Sequence, residues 1–301
     1  MIPDVLFCFY NHFDVCSHRL CSLRRMNRDL RVYGLYGGPL SQEEAAKSRL
    51  APWLDDFYTF PEERNPHWKW INFDSMIASW YRDRGRHLEW ESLFIQHWDM
   101  LIIAPLQTFF PALRPGEILL SGYRPVKEIE DWWPWVKRRN AQGKVEYEVF
   151  KEYVAENFGY KSDMFACLFI VACLPREFLE HYANFGPPEV GFLEYRLPTM
   201  AKIFGTPVCK DHPYRPWWAA NPAAQQAPAS ERTLNATGRE VPLSAVVEEI
   251  SKPNGKRIFH PVFRDIADWQ LKPFHAWWLS HLSHLARRTA LLRSQPRDRS
   301  N

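Results

Sequence analysis

The chain has 301 residues, of which 46% are hydrophobic and 24% are charged, and its net charge at pH 7 is +3. This length is enough to bury a full core, either as one large α/β domain or as a domain with an appendage. A sequence pI of about 8.5, with Lys and Arg dispersed along the chain, argues against a nucleic-acid partner. The six Cys residues include no Cys-x-x-Cys pair, and we expect them to be reduced and structural.

The first 40 residues have the pattern of a strand, a helix and a second strand. The apolar run 5–10 is followed by a segment rich in Arg and Leu and then by the apolar run 30–36. Such a unit favours parallel pairing through a right-handed crossover, with ligands bound at the carboxyl ends of the strands. The candidate ligand-binding residues at those ends are Tyr10, Asn11, Gly37 and Gly38.

A helix is predicted after Asn72, where apolar residues such as Phe73 and Ile77 recur at helical spacing. Asn72 is a favourable N-cap and Gly85 is the predicted stop. Asp74 would then lie in the first turn. It either complements the helix dipole or turns toward a ligand hydroxyl, so Asn72 and Asp74 are also candidate ligand-binding residues.

The run 93–106 indicates a buried strand that contains an acid. Burying a charge without a partner is costly, so such an acid is expected to face a cation, a network of donors or a cleft. Residues two apart on a strand share a face, and His97 and Asp99 would therefore point the same way, while Trp98 points opposite. That is a spacing suitable for two metal ligands.

The rest of the chain predicts further α/β elements. Residues 124–160 are interpreted as an insertion rich in charges and aromatics, and 213–240 as a flexible loop by composition. The remaining predictions are a strand at 116–122, a central strand at 165–174, a helix at 176–186, and two helical pieces within 189–205 that are divided at Pro198.

Residues 266–293 predict an amphipathic helix with a Trp-rich apolar stripe and several His and Arg residues. Packing of the stripe on the preceding domain is the favoured interpretation, and contact with a membrane surface is the alternative. No secretory signal or run of about 18 apolar residues is present, which favours a cytoplasmic location, with possible peripheral membrane contact.

Taken together, these elements resemble a GT-A-fold glycosyltransferase over roughly positions 4–265. The resemblance is carried by the β-α-β start, His97-Trp-Asp99 at a strand end, the strand and helix at 165–186, the acidic helix start at 189–194, and the late 258–262 segment. It implies that Asp99 and His260 bind a divalent metal and that Glu194 is the base of an inverting member. His97 stands where the family has the first Asp of Asp-x-Asp, and this departure favours Mn²⁺ over Mg²⁺, or metal-independent catalysis.

Each of these residues also has a structural interpretation. Asp99 would cap a turn, His260 would be a satisfied core histidine before Pro261, and Glu194 would pair with Arg196 or Lys202. The chemistry of sugar transfer nevertheless needs groups of these types. A cation or donors must face the departing diphosphate, and a base must take the acceptor proton.

The sequence therefore predicts an open, mixed, mainly parallel sheet flanked by helices, of GT-A type, in a catalytic domain at 1–265, with a C-terminal helical extension at 266–301. The predicted function is transfer of a sugar from a nucleotide-diphosphate donor, assisted by Mn²⁺ or Mg²⁺, to a carbohydrate, lipid-linked or small-molecule acceptor. A catalytically silent carbohydrate-binding or scaffold protein on the same fold is the alternative. A nucleotidyltransferase is disfavoured because no Gly-rich basic phosphate loop occurs near the N-terminus.

Overall fold

The computed structural model describes residues 2–186, 189–211 and 214–265. The strands in this part of the chain are β1 Asp4–Phe9, β2 Val32–Tyr36, β3 Asp56–Thr59, β4 Ser92–His97, β5 Leu101–Ile102, β6 Leu119–Leu120, β7 Arg124–Pro125, β8 Phe165–Ala166, β9 Ala172–Pro175 and β10 Ile258–Phe259. The helices are α1 Phe13–Met26, α2 Glu43–Leu50, α3 Pro66–Ile71, α4 Phe73–Asp83, α5 Glu146–Phe158, α6 Arg176–Phe185, α7 Leu193–Ile203 and α8 Leu243–Ser251. None of these helices is long and apolar enough to cross a membrane.

Six strands form the central sheet in the order β3-β2-β1-β4-β9-β6. Strands β3, β2, β1 and β4 are parallel, whereas β9 is antiparallel to both of its neighbours. The predicted mixed, mainly parallel sheet flanked by helices is confirmed. In β1 and β4 the pairs run from Asp4 with Leu93 to Cys8 with His97, so both strands end at the same edge.

The strands of the sheet centre are apolar on both faces because helices cover both. Residues 5–9 of β1 and 93–95 of β4 have no exposed surface. Helix α4 buries Met76, Ile77 and Trp80 completely, and α6 packs against α4. The predicted insertion at 124–160 contributes β7 and α5, whose Phe150 and Val154 belong to the same core.

The predicted strand at 93–106 was wrong in its second half. Strand β4 ends at His97, a turn follows, and β5 pairs with β10 in a separate two-stranded sheet. The turn is held by the N–H of Met100, which donates to the carbonyl of His97, and by the carbonyl of Asp99, which accepts from Val262. This bend carries Asp99 out of the central sheet toward the end of β10.

The predicted strand at 165–174 is divided into β8 and β9. Two N–H groups between them bond to Glu194 instead of a sheet ladder: Cys167 donates to its carbonyl and Phe169 to its side chain. The predicted division of 189–205 at Pro198 was also wrong, because α7 continues through that residue. The predicted helix at 176–186 is confirmed as α6.

The predicted loop at 213–240 has, in its described part from residue 214, short helical turns and isolated bridges. Leu234 bridges to His260, and both Leu234 and Asn235 are buried. The predicted extension at 266–301 lies outside the described residues. Both its packing and its membrane contact therefore stay predictions.

Candidate active site

A cavity of about 900 Å³ opens at the carboxyl edge of the parallel strands. This is where ligands bind in open α/β sheets. Eight of the ten candidate residues line it, namely Tyr10, Asn11, Gly37, Gly38, His97, Asp99, Glu194 and His260. The structure therefore brings together residues that lie up to 250 positions apart in the sequence.

The first wall of the cavity is built by the ends of β1 and β2. Tyr10 and Asn11 follow β1, and Gly37 and Gly38 follow β2. A Cβ atom on Gly37 would overlap Met76 and the ring of Tyr10, and one on Gly38 would overlap the carbonyl of Tyr10. Glycine is needed at both positions because the two strand ends approach each other this closely.

Asp99 and His260 face each other across the cavity floor, with 3.4 Å between Oδ1 of Asp99 and Nε2 of His260. Nδ1 of His260 lies 2.7 Å from the carbonyl oxygen of Asn235, which can only accept, so this nitrogen carries a proton. Nε2 then presents either a second proton or a lone pair to the carboxylate. A lone pair there would be repelled unless a cation lay between the two groups.

The charges of the pair reinforce each other. Burial lowers the pKa of His260, but the charge of Asp99 and its hydrogen bond outweigh burial and the pKa is raised. Burial raises the pKa of Asp99, but the two histidines, His260 foremost, outweigh it and the pKa is lowered. Each group therefore shifts the titration of the other toward its charged form.

His97 contributes a neutral ring. Burial lowers its pKa to about 4, against the opposing charge of Asp99. Its ring centroid lies 5.0 Å from that of Phe73 and 6.0 Å from that of His260. Nε2 of His97 is buried and makes no hydrogen bond within the described part of the chain.

A divalent cation fits this site only in part. Among the described residues no three His, Cys, Asp or Glu side chains are grouped closely enough to hold a metal. Asp99 and His260 offer two ligands, one oxygen and one nitrogen, a combination that suits Mn²⁺ better than Mg²⁺. The remaining ligands would have to be phosphate oxygens and water.

Glu194 lies in the first turn of α7 and is 6% exposed. Its Oε1 accepts a hydrogen bond of 2.9 Å from the N–H of Phe169. Burial raises the pKa of Glu194 to about 8, although the Phe169 hydrogen bond opposes the shift. The alternative pairing with Arg196 or Lys202 is absent from the described residues, where Arg196 pairs with Asp74. A pKa of about 8 makes Glu194 mainly a neutral carboxylic acid at pH 7.

Two candidate residues, Asn72 and Asp74, do not reach this cavity. The side chains of Asp74 and Arg196 are fully buried against each other, with Nε of Arg196 2.7 Å from Oδ2 of Asp74. Tyr182 also donates to Asp74. Asn72 accepts from the same arginine over 3.2 Å and lines a smaller cavity. The assignment of Asp74 is corrected, because it pairs with Arg196 instead of a ligand, whereas Asn72 supports that pair and its ligand-binding role stays a prediction.

The sequence interpretation missed helix α3, which provides Lys69 and Trp70 to the cavity wall. Lys69 is 8% exposed, and its Nζ donates to the carbonyl of Gly37 over 2.6 Å. No carboxylate of the described residues forms an ion pair with it, and burial lowers its pKa, partly offset by Glu63. The available signal was Asn65-Pro66, an N-cap followed by proline at the first helical position.

The chain is similar in structure to the galactosyltransferase LgtC in complex with donor and acceptor sugar analogs, at 12% sequence identity and a TM-score of 0.36, over 68% of this chain and 72% of that chain. It is also similar to mouse xyloside xylosyltransferase 1 in its apo form, at 12% identity and a TM-score of 0.35, over 67% of this chain and 82% of that chain. No family model and no curated protein matches the chain. At these TM-scores the likenesses carry no argument about function, which rests on the geometry of the site.

Proposed function

We propose that the protein is a glycosyltransferase of GT-A type, which moves a sugar from a nucleotide-diphosphate donor to an acceptor hydroxyl. One observation carries the proposal. A single cavity at the carboxyl edge of the parallel strands joins the Asp99–His260 pair, a buried lysine and the carboxyl group of Glu194. Its volume lies within the roughly 300–1,000 Å³ of small-molecule sites and suits a ligand of nucleotide-sugar size.

The donor is proposed to bind along the strand ends. The nucleoside lies against Tyr10 and Asn11, and Gly37 and Gly38 form the adjoining wall of the cavity. Lys69 adds a positive charge where the diphosphate would lie, since among the described residues its three donors are matched by the Gly37 carbonyl alone. The departing diphosphate gains negative charge, and a buried cation stabilises that charge better than an exposed one.

Mn²⁺ or Mg²⁺ would be held by Asp99 and His260 together with the donor's phosphates, and would neutralise charge on the leaving group. Asp99 would contribute its carboxylate and His260 the lone pair of Nε2, because Nδ1 carries the proton that faces the Asn235 carbonyl. His97 is neutral and adds no charge of its own.

Glu194 is proposed to take the proton of the acceptor hydroxyl. A carboxyl with a pKa of about 8 is a strong base once it is ionised, although only a minority is ionised at pH 7. The N–H of Phe169 holds Oε1 and so fixes the plane of the carboxyl group. The acceptor, whether a carbohydrate, a lipid-linked molecule or a small molecule, stays a prediction from the sequence, as does a cytoplasmic location.

Thermal unfolding with a panel of nucleoside diphosphates and nucleotide sugars, with Mn²⁺ or with chelator, tests donor binding. We expect at least one nucleotide to raise the melting temperature, and more so with Mn²⁺, because a ligand of the folded state stabilises it. Asp99→Asn should remove the Mn²⁺-dependent part of the increase in melting temperature. Asp14→Asn, which changes the exposed Asp14–Arg49 pair, should retain that part. If no nucleotide shifts the wild-type melting temperature, the proposal fails. Nucleotide binding without sugar transfer would favour a catalytically silent protein on this fold.

A further inference from the structure

A second cavity, of about 310 Å³, lies on the other side of helix α3 from the proposed donor cavity. His67, Trp68 and Ile71 of the helix line this second cavity, whereas Pro66, Lys69 and Trp70 line the first. Asn65, the N-cap of α3, lines both. The helix therefore separates two cavities whose linings share Asn65.

Two buried polar atoms in the lining of the second cavity have no hydrogen-bond partner among the described residues. They are Nη1 of Arg138 and Oε2 of Glu146. The two side chains approach most closely at 3.5 Å, between Nε and Oε2, and they are 22% and 14% exposed. Buried polar atoms are nearly always bonded in folded proteins, so this donor and acceptor have unmet bonding capacity. A polar ligand of the cavity could satisfy both once the partly exposed side chains rotate toward it.

The other polar groups of the lining restrict the chemistry of that ligand. Nη2 of Arg138 lies 3.2 Å from Nε2 of His67, and because a guanidinium only donates, the ring nitrogen accepts. The lining carries one arginine, Arg138, and two glutamates, Glu146 and Glu189, so no net positive charge is left for an anion. A hydroxyl group can accept from the arginine and donate to the glutamate, and a sugar carries several hydroxyls at such spacing.

The ring of Trp68 in the lining of this cavity is already in contact with two neighbouring side chains. Arg64 covers one side of the Trp68 ring, with 4.7 Å between Cζ and the centroid, and Phe60 stacks with the same ring at 6.0 Å. A flat base or aromatic ligand would therefore find no free ring of Trp68. Hydrogen bonds to hydroxyl groups are the interactions that the lining offers.

We propose that this second cavity binds a neutral sugar unit of the acceptor. Its role as an acceptor site rests on the proposed glycosyltransferase function. Arg138 and Glu146 belong to the aromatic insertion at 124–160. Trp135 of the same insertion contacts Trp70 in the wall of the proposed donor cavity, with 4.9 Å between ring centroids. The insertion thus provides the groups that select the acceptor, while the sheet edge provides those that bind the donor.

Saturation-transfer NMR with methyl glycosides of glucose, galactose, mannose, xylose and N-acetylglucosamine, and with glucuronic acid as the charged comparison, tests the proposal. At least one neutral glycoside should bind the wild-type protein. The double variant Arg138→Leu/Glu146→Leu removes both charges together, which a buried pair tolerates better than loss of one partner, and should weaken that binding at least tenfold. Lys151→Leu/Glu148→Leu is the control, because that exposed pair lies on helix α5, as Glu146 does.

A variant that keeps the charge guards against a folding defect. Arg138→Lys retains the positive charge but loses the forked donors, and it should also weaken glycoside binding while leaving the melting temperature nearly unchanged. Absence of binding by every neutral glycoside, or equal binding by the wild type and the double variant, would overturn the proposal. Nucleotide binding is measured on the same samples and is expected to be unchanged in the double variant. If no nucleotide binds but a glycoside still binds in an Arg138-dependent way, the proposed glycosyltransferase function is rejected and the sugar site is retained.

Discussion

Pro198 lies four residues after Glu194 in helix α7 and leaves the backbone carbonyl of Glu194 without its helical donor. The N–H of Cys167 donates to that carbonyl over 2.8 Å instead. The N–H of Phe169 then reaches the side chain of the same glutamate. The proline that would ordinarily break a helix here joins the start of α7 to the segment between β8 and β9, and so fixes Glu194 in the cavity wall.

The first prediction concerns stability against pH. The pKa of Glu194 is about 8 in the folded protein against about 4.5 in the unfolded chain, so between these values the folded state binds more protons. The free energy of unfolding should therefore fall as pH rises through this window and level off above it. Glu194→Gln should reduce this fall, measured by urea titrations at several pH values. The exposed Glu148→Gln should leave the pH dependence as in the wild type, and an unchanged slope in Glu194→Gln would contradict the raised pKa.

The second prediction concerns the base. Glu194→Gln keeps an acceptor for the N–H of Phe169, so nucleotide binding should persist while sugar transfer falls by about a hundredfold or more. Wild-type transfer should rise with pH toward about 8, as the carboxyl becomes ionised. Steady-state kinetics across pH checks both effects. Normal turnover in the variant would show that Glu194 is not the base.

The third prediction concerns the buried Asp74–Arg196 pair. Asp74→Asn leaves the guanidinium of Arg196 buried without its charge partner, which should cost about 3–5 kcal/mol of folding free energy. Chemical denaturation measures the loss. Asp14→Asn, which disrupts an exposed pair, should cost little by comparison. Equal effects of the two substitutions would mean that the buried pair adds nothing beyond a surface one.

The fourth prediction concerns Lys69. Lys69→Met keeps the length of the apolar stem but removes the charge that faces the cavity, and should weaken nucleoside-diphosphate binding by roughly tenfold or more. Binding of the free nucleoside should change little, because it lacks the phosphates. Calorimetric titration of both ligands separates the two cases, with the exposed Lys47→Met as control. Equal losses for nucleoside and diphosphate would assign Lys69 a structural role.

The sequence predicted the start of the fold and most of the cavity because the relevant signals are local. The apolar runs of β1, β2 and β4 mark buried parallel strands, and the residues after such strands meet at one edge of the sheet. Tyr10, Asn11, Gly37 and Gly38 could therefore be selected without knowing any tertiary contact, whereas Asp99 was placed inside a strand that in fact ends at His97.

What the sequence could not predict depends on contacts between distant segments. Arg196 is separated from Asp74 by 122 positions, and no periodicity links them. The 165–174 run is apolar throughout, yet it forms two separate strands because Glu194 accepts hydrogen bonds from two of its N–H groups. Local apolarity cannot show where a backbone donor finds its acceptor. The proximity of Asp99 and His260 supports their assignment as metal ligands. The described residues offer no third ligand beside them.

Release of nucleoside diphosphate from a panel of nucleotide sugars, measured with purified protein, Mn²⁺ and the glycosides named above, tests the central claim most directly. The account predicts release from at least one nucleotide sugar, stimulated by a neutral glycoside, nearly lost in Asp99→Asn and retained in Asp14→Asn. Release that is equal in both variants, or no release from any sugar nucleotide by the wild-type protein, would contradict it.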